Sequence, residues 1–530
     1  MAFTSLPDGV PSTIPAALRQ AVERFADSEA IVAQGRRLGF RQLLSEAEQV
    51  GRALIGSGVE PGDRVAIWAP NSVAWVTASF GIYAAGGVLV PVNTRFRGEE
   101  AGHVLRTSGA RLLLTVTDFL SVDFVGMIRD VGDLDELEEI VVLEGDAPAG
   151  TTPCDVFLSR AAGVGLGEIH RREALIGPDD VSDLIFTSGT TGSPKGAMLT
   201  HGASTLTYWE WSGLVDLRAG DRYLVVYPFF HTAGLKSGVL ACVLRGATIH
   251  PEALFDVPTV MRTVAEERIT MLPGPPSVFQ SILNDPDLPG YDLSSVRSSV
   301  TGAAVVPVEV VRQMREVLGI GTVITGYGLT ETTGTVSMCR HDDPPEVIAR
   351  TVGRPIPGVE VRVVTDDNTE AAPGEPGELL VKGFNVMKGY YDDPDATAAA
   401  IDTEGWLRTG DVGFVDGDGN LHITDRKKDM FIVGGFNAYP AEIESLMLTH
   451  PAIAQVAVLG VPDARLGEVA MAYVVPTVGV GVEPTEVMAW CRAHMANYKV
   501  PRRVEVVDEL PMTASGKVMK YKLRQLVEGV

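Results

Sequence analysis

Basic residues are scarce in this chain. Of 530 residues, 44 are Lys or Arg against 68 Asp or Glu, a formal net charge of −24. Such a field repels polyanions, so general binding to nucleic acid or to anionic lipid is not expected. A polyanionic ligand would need a local site that overcomes the global charge. Cysteine is scarce too: Cys154, Cys242, Cys339 and Cys491 stand far apart, with no Cys-x-x-Cys pair and no His beside them at metal-ligand spacing. That argues against a disulfide framework or a zinc site, and for reduced thiols in a cytoplasmic protein. The N-terminus has no basic stretch leading into an apolar core, so no signal peptide is expected. Internal repeats and low-complexity tracts are missing as well, which removes solenoid and disordered readings.

One further absence is local. Between Arg64 and Arg95 no residue is charged, and an uncharged run of this kind raises the question of a membrane span. Pro70, Asn71, Gly81, Gly86, Gly87 and Pro91 interrupt it. It reads instead as a strand over Val65–Ala69, a buried helix over Ser72–Ala85 and a strand over Val88–Val92. A βαβ unit covered on both faces loses its polar positions in this way, so no transmembrane segment is expected.

What is present is the composition of an ordinary soluble globular protein, 45% hydrophobic and 21% charged. The length exceeds one compact core, so at least two domains are expected. Strand–helix alternation runs through the first four hundred residues or so. Strands are expected over Arg111–Val116, Val181–Phe186, Leu224–Tyr227, Met271–Pro273, Val300–Thr301 and Thr322–Thr325, with an apolar helix near Gly238–Leu244. From Val359 short strands (Val359–Val364, Gly377–Lys382, Val412–Val415, Leu421–Thr424) separated by Pro-Gly and Asp-Gly turns predict a small antiparallel barrel or sheet. After Arg426 a helix (Pro440–Thr449), two strands (Ala454–Gly460, Ala470–Val475), a helix (Glu486–His494) and a strand (Arg503–Val507) predict a small α+β domain.

The strongest local signal follows the strand Val181–Phe186. In Phe186-Thr187-Ser188-Gly189-Thr190-Thr191-Gly192-Ser193-Pro194-Lys195-Gly196, glycines let backbone N–H groups turn toward one point. The hydroxyls of Thr187, Ser188, Thr190 and Thr191 add donors, and Lys195 adds a charge. Such a nest suits a polyphosphate. It is not a Walker A loop, because no Gly-Lys-[Ser/Thr] follows at that motif's spacing.

This loop resembles the phosphate-loop signature of the adenylate-forming (ANL) superfamily, which holds acyl-CoA synthetases, peptide-synthetase adenylation domains and firefly-type luciferases. Further motifs in the family's order extend the resemblance over nearly the whole chain. They are Phe229-Phe230-His231, Thr301-Gly302-Ala303-Ala304, Gly326-Tyr327-Gly328-Leu329-Thr330-Glu331 and Trp406-Leu407-Arg408-Thr409-Gly410-Asp411. Asp425-Arg426-Lys427-Lys428-Asp429, Gly434-Gly435-Phe436-Asn437 and Pro511-Met512-Thr513-Ala514-Ser515-Gly516-Lys517 complete the set. The fold class implied is α/β. A large N-terminal AMP-binding domain (1–426) carries parallel sheets flanked by helices plus a small β-barrel. A small, mobile α+β C-terminal domain (427–530) rotates between two half-reactions.

The activity implied is ATP-dependent acid–CoA ligation. A carboxylate is a poor acyl donor because its leaving group would be oxide; the mixed anhydride with AMP supplies a better one. Its formation sets an anion against an anionic α-phosphorus, so charge neutralisation and in-line positioning carry the catalysis. By resemblance, Glu331 is the Mg²⁺ ligand, and a hard carboxylate suits a magnesium bridging phosphates. Thr330 donates to the phosphates, as do Thr187, Ser188, Gly189, Thr190, Thr191, Gly192 and Lys195. Asp411 and Arg426 hold the ribose hydroxyls, although Asp411 alone reads as a turn residue before a strand. Gly302, Ala303, Ala304 and Tyr327 line the adenine slot, where Tyr327 stacks on the base, and Gly326 and Gly328 are expected at the nucleotide as well. Lys517 reads by composition as an exposed lysine; the resemblance makes it the ammonium that reaches into the site during adenylation. Lys428 is the hinge, Gly434, Gly435 and Phe436 face the pantetheine of CoA, and His231 gates the acyl pocket from the thiol tunnel.

Within the superfamily, the run His231–Gly238 contains no carboxylate, which disfavours an α-amino acid whose ammonium would lie unpaired. Lys236 is unusual in that apolar stretch. It either meets a substrate oxygen or buries its stem and sends its ammonium to solvent, the second being favoured. The stretch from Pro228 to Val306 is similar to actinobacterial ligases acting on the indane-propanoate left from steroid rings; fatty and aryl acids stay open as substrates. The expected partners are a carboxylic acid, ATP and CoA, and a homodimer is compatible with the family. The rival readings are a ligase that loads a carrier protein, a luciferase-like oxygenase and a non-catalytic nucleotide-binding regulator.

Overall fold

The computed structural model describes residues 6–528 apart from 34, 118, 188–193, 303–305, 366, 427–428, 434–435, 464–465, 496 and 513–517. The charge-free run folds into strand Arg64–Trp68, helix Val73–Ala84 and strand Val88–Pro91. Ser72 caps the helix by accepting from the Trp75 N–H at 3.1 Å. Both strands are parallel neighbours, Arg64 opposite Val88, and the helix between them is buried all round except at Ala74. A seven-stranded sheet grows around this unit. Its order is Thr152–Pro153, Glu139–Glu144, Leu112–Val116, Arg64–Trp68, Val88–Pro91, Val181–Thr187 and Lys195–Thr200. Every pair is parallel except the last, an antiparallel hairpin in which Thr187 stands opposite Lys195.

In a second sheet, Arg222–Val225 runs parallel to Thr248–Pro251. On its other side Met271 bridges Tyr223 to Ser298, which extends the array to the parallel strands Ser298–Thr301 and Thr322–Tyr327. Three expectations shift here. The strand anticipated at Met271–Pro273 shrinks to one bridged residue, because Pro273 has no N–H to give the ladder. That expected over Leu224–Tyr227 ends at Val225, since Asn71 Nδ2 donates to the Tyr227 carbonyl at 2.9 Å. The apolar helix starts earlier than Gly238, as a π-helix over Ala233–Leu240 that runs into the α-helix Ala241–Arg245. Gly234 permits this start: a Cβ there would lie 2.1 Å from the Pro228 carbonyl oxygen.

Strands Val359–Val364, Gly377–Gly383, Leu407–Val415 and Leu421–Arg426 follow one another in an antiparallel sheet. The third begins well before Val412, so Asp411 lies inside a strand and not in a turn. Beyond it, strands Ile453–Asp463 and Gly467–Pro476 form a long hairpin that Arg503–Val506 joins in parallel. Helices Pro440–Met447 and Pro484–His494 accompany them. The buried cluster from Phe431 to Leu523 is separate from the main one, which runs from Ile14 to Val381. Among the described residues no helix is long and apolar enough to cross a membrane.

Candidate active site

A large cleft opens where the hairpin end at Thr187, the turn after Tyr327 and the strand Leu407–Val415 converge; Glu442, Met512, Val518 and Lys520 line it from the C-terminal part. Thr187 closes its strand and donates through Oγ1 to Glu331 Oε1 at 3.2 Å. Tyr390 donates its hydroxyl to the same oxygen at 3.0 Å. Glu331 sits on a single 3-10 turn, Thr330–Thr332, and its carbonyl takes the Met387 N–H at 2.8 Å. Lys195 lies across the hairpin from Thr187, its ammonium 3.3 Å from the Asp393 carboxylate and 5.5 Å from the Tyr390 ring centroid. Four residues expected at the phosphates, Thr187, Lys195, Thr330 and Glu331, therefore share one wall.

The electrostatics of that wall are set by burial and pairing. Burial raises the Tyr390 phenol above its ordinary value and the Glu331 carboxylate adds to the effect, so Tyr390 keeps its proton and acts as a donor. The Ala396 N–H and then Lys195 hold Asp393 below the usual carboxylate range. Glu331 Oε1 accepts two hydrogen bonds, whereas Oε2 accepts none among the described residues. No group of three or more His, Cys, Asp or Glu side chains is assembled for a metal among the described residues. A single hard oxygen beside a phosphate-binding wall fits Mg²⁺, which is held by one or two carboxylates and completes its shell with phosphates and water.

On the opposite side, Gly302, just after the strand Ser298–Thr301, and Gly326 and Tyr327, at the end of the strand Thr322–Tyr327, reach the same cleft together with Gly328. The Tyr327 hydroxyl donates to Asp411 Oδ2 at 2.5 Å. Asp411 is 3% exposed and stands directly across the strand pair from Arg426. The two positions expected at the ribose are thus cross-strand neighbours, a relation their 15-residue separation in the chain (426 − 411) does not reveal. Gly328 is required by space: a Cβ there would lie 2.2 Å from the Gly334 carbonyl oxygen, backbone that cannot swing away. At Gly302 the nearest atom would be 3.5 Å off, an ordinary contact. Gly328→Ala is therefore expected to cost about 1–3 kcal/mol and, by displacing Thr330 and Glu331, to slow pyrophosphate release roughly tenfold or more. Gly302→Ala should leave stability unchanged. Equal denaturation midpoints for the two variants would refute this reading of the turn.

The third part of the cleft is an aromatic chamber with Tyr208, Trp211, Tyr223 and Tyr227 on its walls. His231 lies at its edge, half-buried, with Nδ1 accepting from the Ala233 N–H at 3.2 Å. Lys236, on the π-helix, does neither thing the sequence suggested. It is 1% exposed, so its ammonium does not reach solvent, and it does not line the chamber. It donates to Asp183 Oδ2 at 2.5 Å, and Asp183, at 0% exposure, also accepts from Tyr83 at 2.6 Å and from Ser182 at 2.5 Å. Burial pushes the lysine below its ordinary value while Asp183 opposes that shift. The partner sits in a different strand, far away in the chain, which is why local sequence pointed to solvent.

Ser188, Gly189, Thr190, Thr191, Gly192, Ala303, Ala304, Lys428, Gly434, Gly435 and Lys517 lie outside the described residues. Arg426 closes the strand Leu421–Arg426 and Phe436 opens the strand Phe436–Ala438. Two residues went unnoticed in the sequence, Tyr390 and Asp393, which partner Glu331 and Lys195. They fall in a turn-rich connection, Lys388-Gly389-Tyr390-Tyr391-Asp392-Asp393, whose only signal is an adjacent tyrosine pair.

Comparison with known proteins brings these features together. A family model described as AMP-binding enzyme matches residues 18–391, and one described as AMP-binding enzyme C-terminal domain matches 442–517. A 3-[(3aS,4S,7aS)-7a-methyl-1,5-dioxo-octahydro-1H-inden-4-yl]propanoyl:CoA ligase of Rhodococcus jostii is 47% identical over 519 residues, 97% of this chain and 99% of its own length. A protein of the same name from Mycobacterium tuberculosis is 46% identical over 514 residues, with the same coverage. Among solved structures, the anthranilate CoA ligase AuaEII in complex with anthranoyl-AMP matches at 29% identity, with a TM-score of 0.87 and full coverage of both chains.

Proposed function

Since this chain belongs to the AMP-binding enzyme family, as an ATP-dependent acid–CoA ligase of the adenylate-forming type, we propose that its acid is a hydrophobic fused-ring propanoate bearing oxo groups, of the kind named for its Rhodococcus and Mycobacterium relatives. In the first half-reaction the carboxylate attacks the α-phosphorus of ATP and pyrophosphate leaves. In the second, the CoA thiol attacks the acyl carbon of the adenylate and AMP leaves. The reading rests on one juxtaposition: the Thr187–Glu331–Lys195 wall, the Tyr327–Asp411 pair and the aromatic chamber open into a single cleft.

Thr187, Thr330, Lys195 and residues 188–193 orient the phosphates, with the Lys195 ammonium offsetting their charge. Glu331, through the oxygen that accepts no hydrogen bond among the described residues, would hold a magnesium ion, which when bound neutralises the charge of the leaving pyrophosphate. Asp411, fixed by Tyr327, would accept from the ribose hydroxyls, and Arg426, at the position across the strand pair, would donate to them. The chamber behind His231 takes the ring system. Asp183 cannot serve an amino-acid substrate, since Lys236 occupies it. The small domain would begin after Arg426 and pivot at Lys428. Four unpaired cysteines, three of them buried, fit a reducing cytoplasm.

The test offers purified protein ATP, Mg²⁺ and CoA with a panel of acids: oxo-bearing ring propanoates, plain ring propanoates, medium-chain fatty acids and aryl acids. Pyrophosphate, AMP and thioester are scored. The expected outcome is stoichiometric release of all three, with the highest kcat/KM for an oxo-bearing ring propanoate. Pyrophosphate without thioester, and acyl transfer only to a carrier protein, would move the chain to the carrier-loading branch. No pyrophosphate with any acid would overturn the reading.

A further inference from the structure

With Lys236 committed to Asp183, recognition of a substrate oxygen has to come from another group. Tyr223 lies in the strand Arg222–Val225, between the parallel strand Thr248–Pro251 and the bridged Met271, and its side chain lines the aromatic chamber. It is 0% exposed, and its hydroxyl makes no hydrogen bond among the described residues. Buried hydroxyls almost always find a partner, so an orphan one on a cleft wall calls for a reason. Its neighbours do not supply a partner. The Trp211 ring lies 6.4 Å away between centroids, tilted by 44°. Ser237, the polar side chain alongside, is near enough to pull the phenol down slightly against the effect of burial, but its proton goes to the Ala233 carbonyl and it stands outside hydrogen-bond geometry with the Tyr223 hydroxyl.

We propose that Tyr223 is a specificity-determining residue, whose hydroxyl donates a hydrogen bond to a carbonyl oxygen on the ring system of the acid. The inference rests on the reading of the cleft as the acyl site of an acid–CoA ligase. A ring ketone has lone pairs and no proton, so it requires a donor. Burial keeps the phenol protonated, raising it well above its ordinary value. The strand that carries Tyr223 is held on both sides by parallel pairing, so the donor is fixed before the acid arrives. An acid lacking the ketone would leave the hydroxyl buried and unpaired, as it is without a ligand. Discrimination then arises from the donor that stays unsatisfied, a stronger filter than the fit of a methylene.

The experiment compares wild type with Tyr223→Phe on two acids, a ring propanoate bearing a ketone and its counterpart with methylene in that place, by acid-dependent ATP–pyrophosphate exchange. Tyr223→Phe removes only an unpaired hydroxyl, so the thermal midpoint should not fall and KM for ATP should hold. For the keto acid kcat/KM should drop about 10–100-fold, mainly through KM, while the plain acid is unchanged or improved. Equal effects on the two acids, or an unmoved preference, would overturn the proposal and leave the ligase reading intact. Wild-type protein that activates neither ring acid, yet works on other acids, would overturn both the substrate reading and this inference.

Discussion

Replacing Lys236 by methionine is expected to destabilise the protein by about 3–5 kcal/mol, even though the side chain touches neither nucleotide site nor chamber. The pair it forms with Asp183 is sealed, at 1% and 0% exposure, and removal of one partner leaves the other as a buried charge. The two halves are not equivalent. Without the lysine, Asp183 keeps the Tyr83 and Ser182 hydroxyls as donors. Without the carboxylate, the ammonium keeps the face of Tyr83, 5.5 Å from the ring centroid, and little else. Asp183→Leu should therefore be the more harmful single change, and Asp183→Leu combined with Lys236→Met should recover most of the loss. Urea midpoints of the four proteins decide it. A double variant no better than the worse single one, or singles as stable as wild type, would show that the pair does not carry this energy.

That pair also marks the limit of what could be read from the chain. The βαβ unit at Arg64–Pro91 was legible because burial on both faces strips charge from a continuous segment, and the interruptions at Pro70, Gly86 and Gly87 fall where the turns are. The hairpin that frames the phosphate loop was half legible: the strand before it shows as an apolar run, but the pairing of Thr187 with Lys195 does not. Contacts between distant elements left no local trace. Asp183 with Lys236, Tyr327 with Asp411 and Tyr390 with Glu331 join residues 53, 84 and 59 positions apart. In each case at least one partner is a polar residue that a local reading sends to solvent or to a turn. The π-helix was likewise hidden, because its apolar composition suits an α-helix equally well and only the close approach of Gly234 to Pro228 fixes where it starts.

Lys517→Ala is expected to lower the rate of adenylate formation by about 10²–10⁴-fold while leaving thioester formation from supplied acyl-AMP within roughly twofold of wild type. The asymmetry follows from where charge appears. In the first half-reaction an anionic acid closes on an anionic phosphorus as pyrophosphate departs, and the ammonium of Lys517, placed there, would meet the charge as it shifts. In the second, the triphosphate is gone and the thiol attacks a carbonyl already activated by AMP. Position supports the assignment: Met512 and Val518, which bridge across residues 513–517, both line the cleft that holds Glu331. Three nearby cations are engaged elsewhere, Lys520 with Glu444 at 2.8 Å, Arg524 with Asp429 at 3.2 Å and Lys195 with Asp393 at 3.3 Å. Lys517→Arg separates charge from geometry. A compact ammonium can follow the moving charge, whereas a planar guanidinium locks onto fixed oxygens, so arginine should restore nucleotide affinity more than the adenylation rate. The two half-reactions are measured apart, by single-turnover pyrophosphate release and by thioester formation from synthetic acyl-AMP. Equal loss in both would mean that the residue holds the fold of the small domain and does not serve the first step.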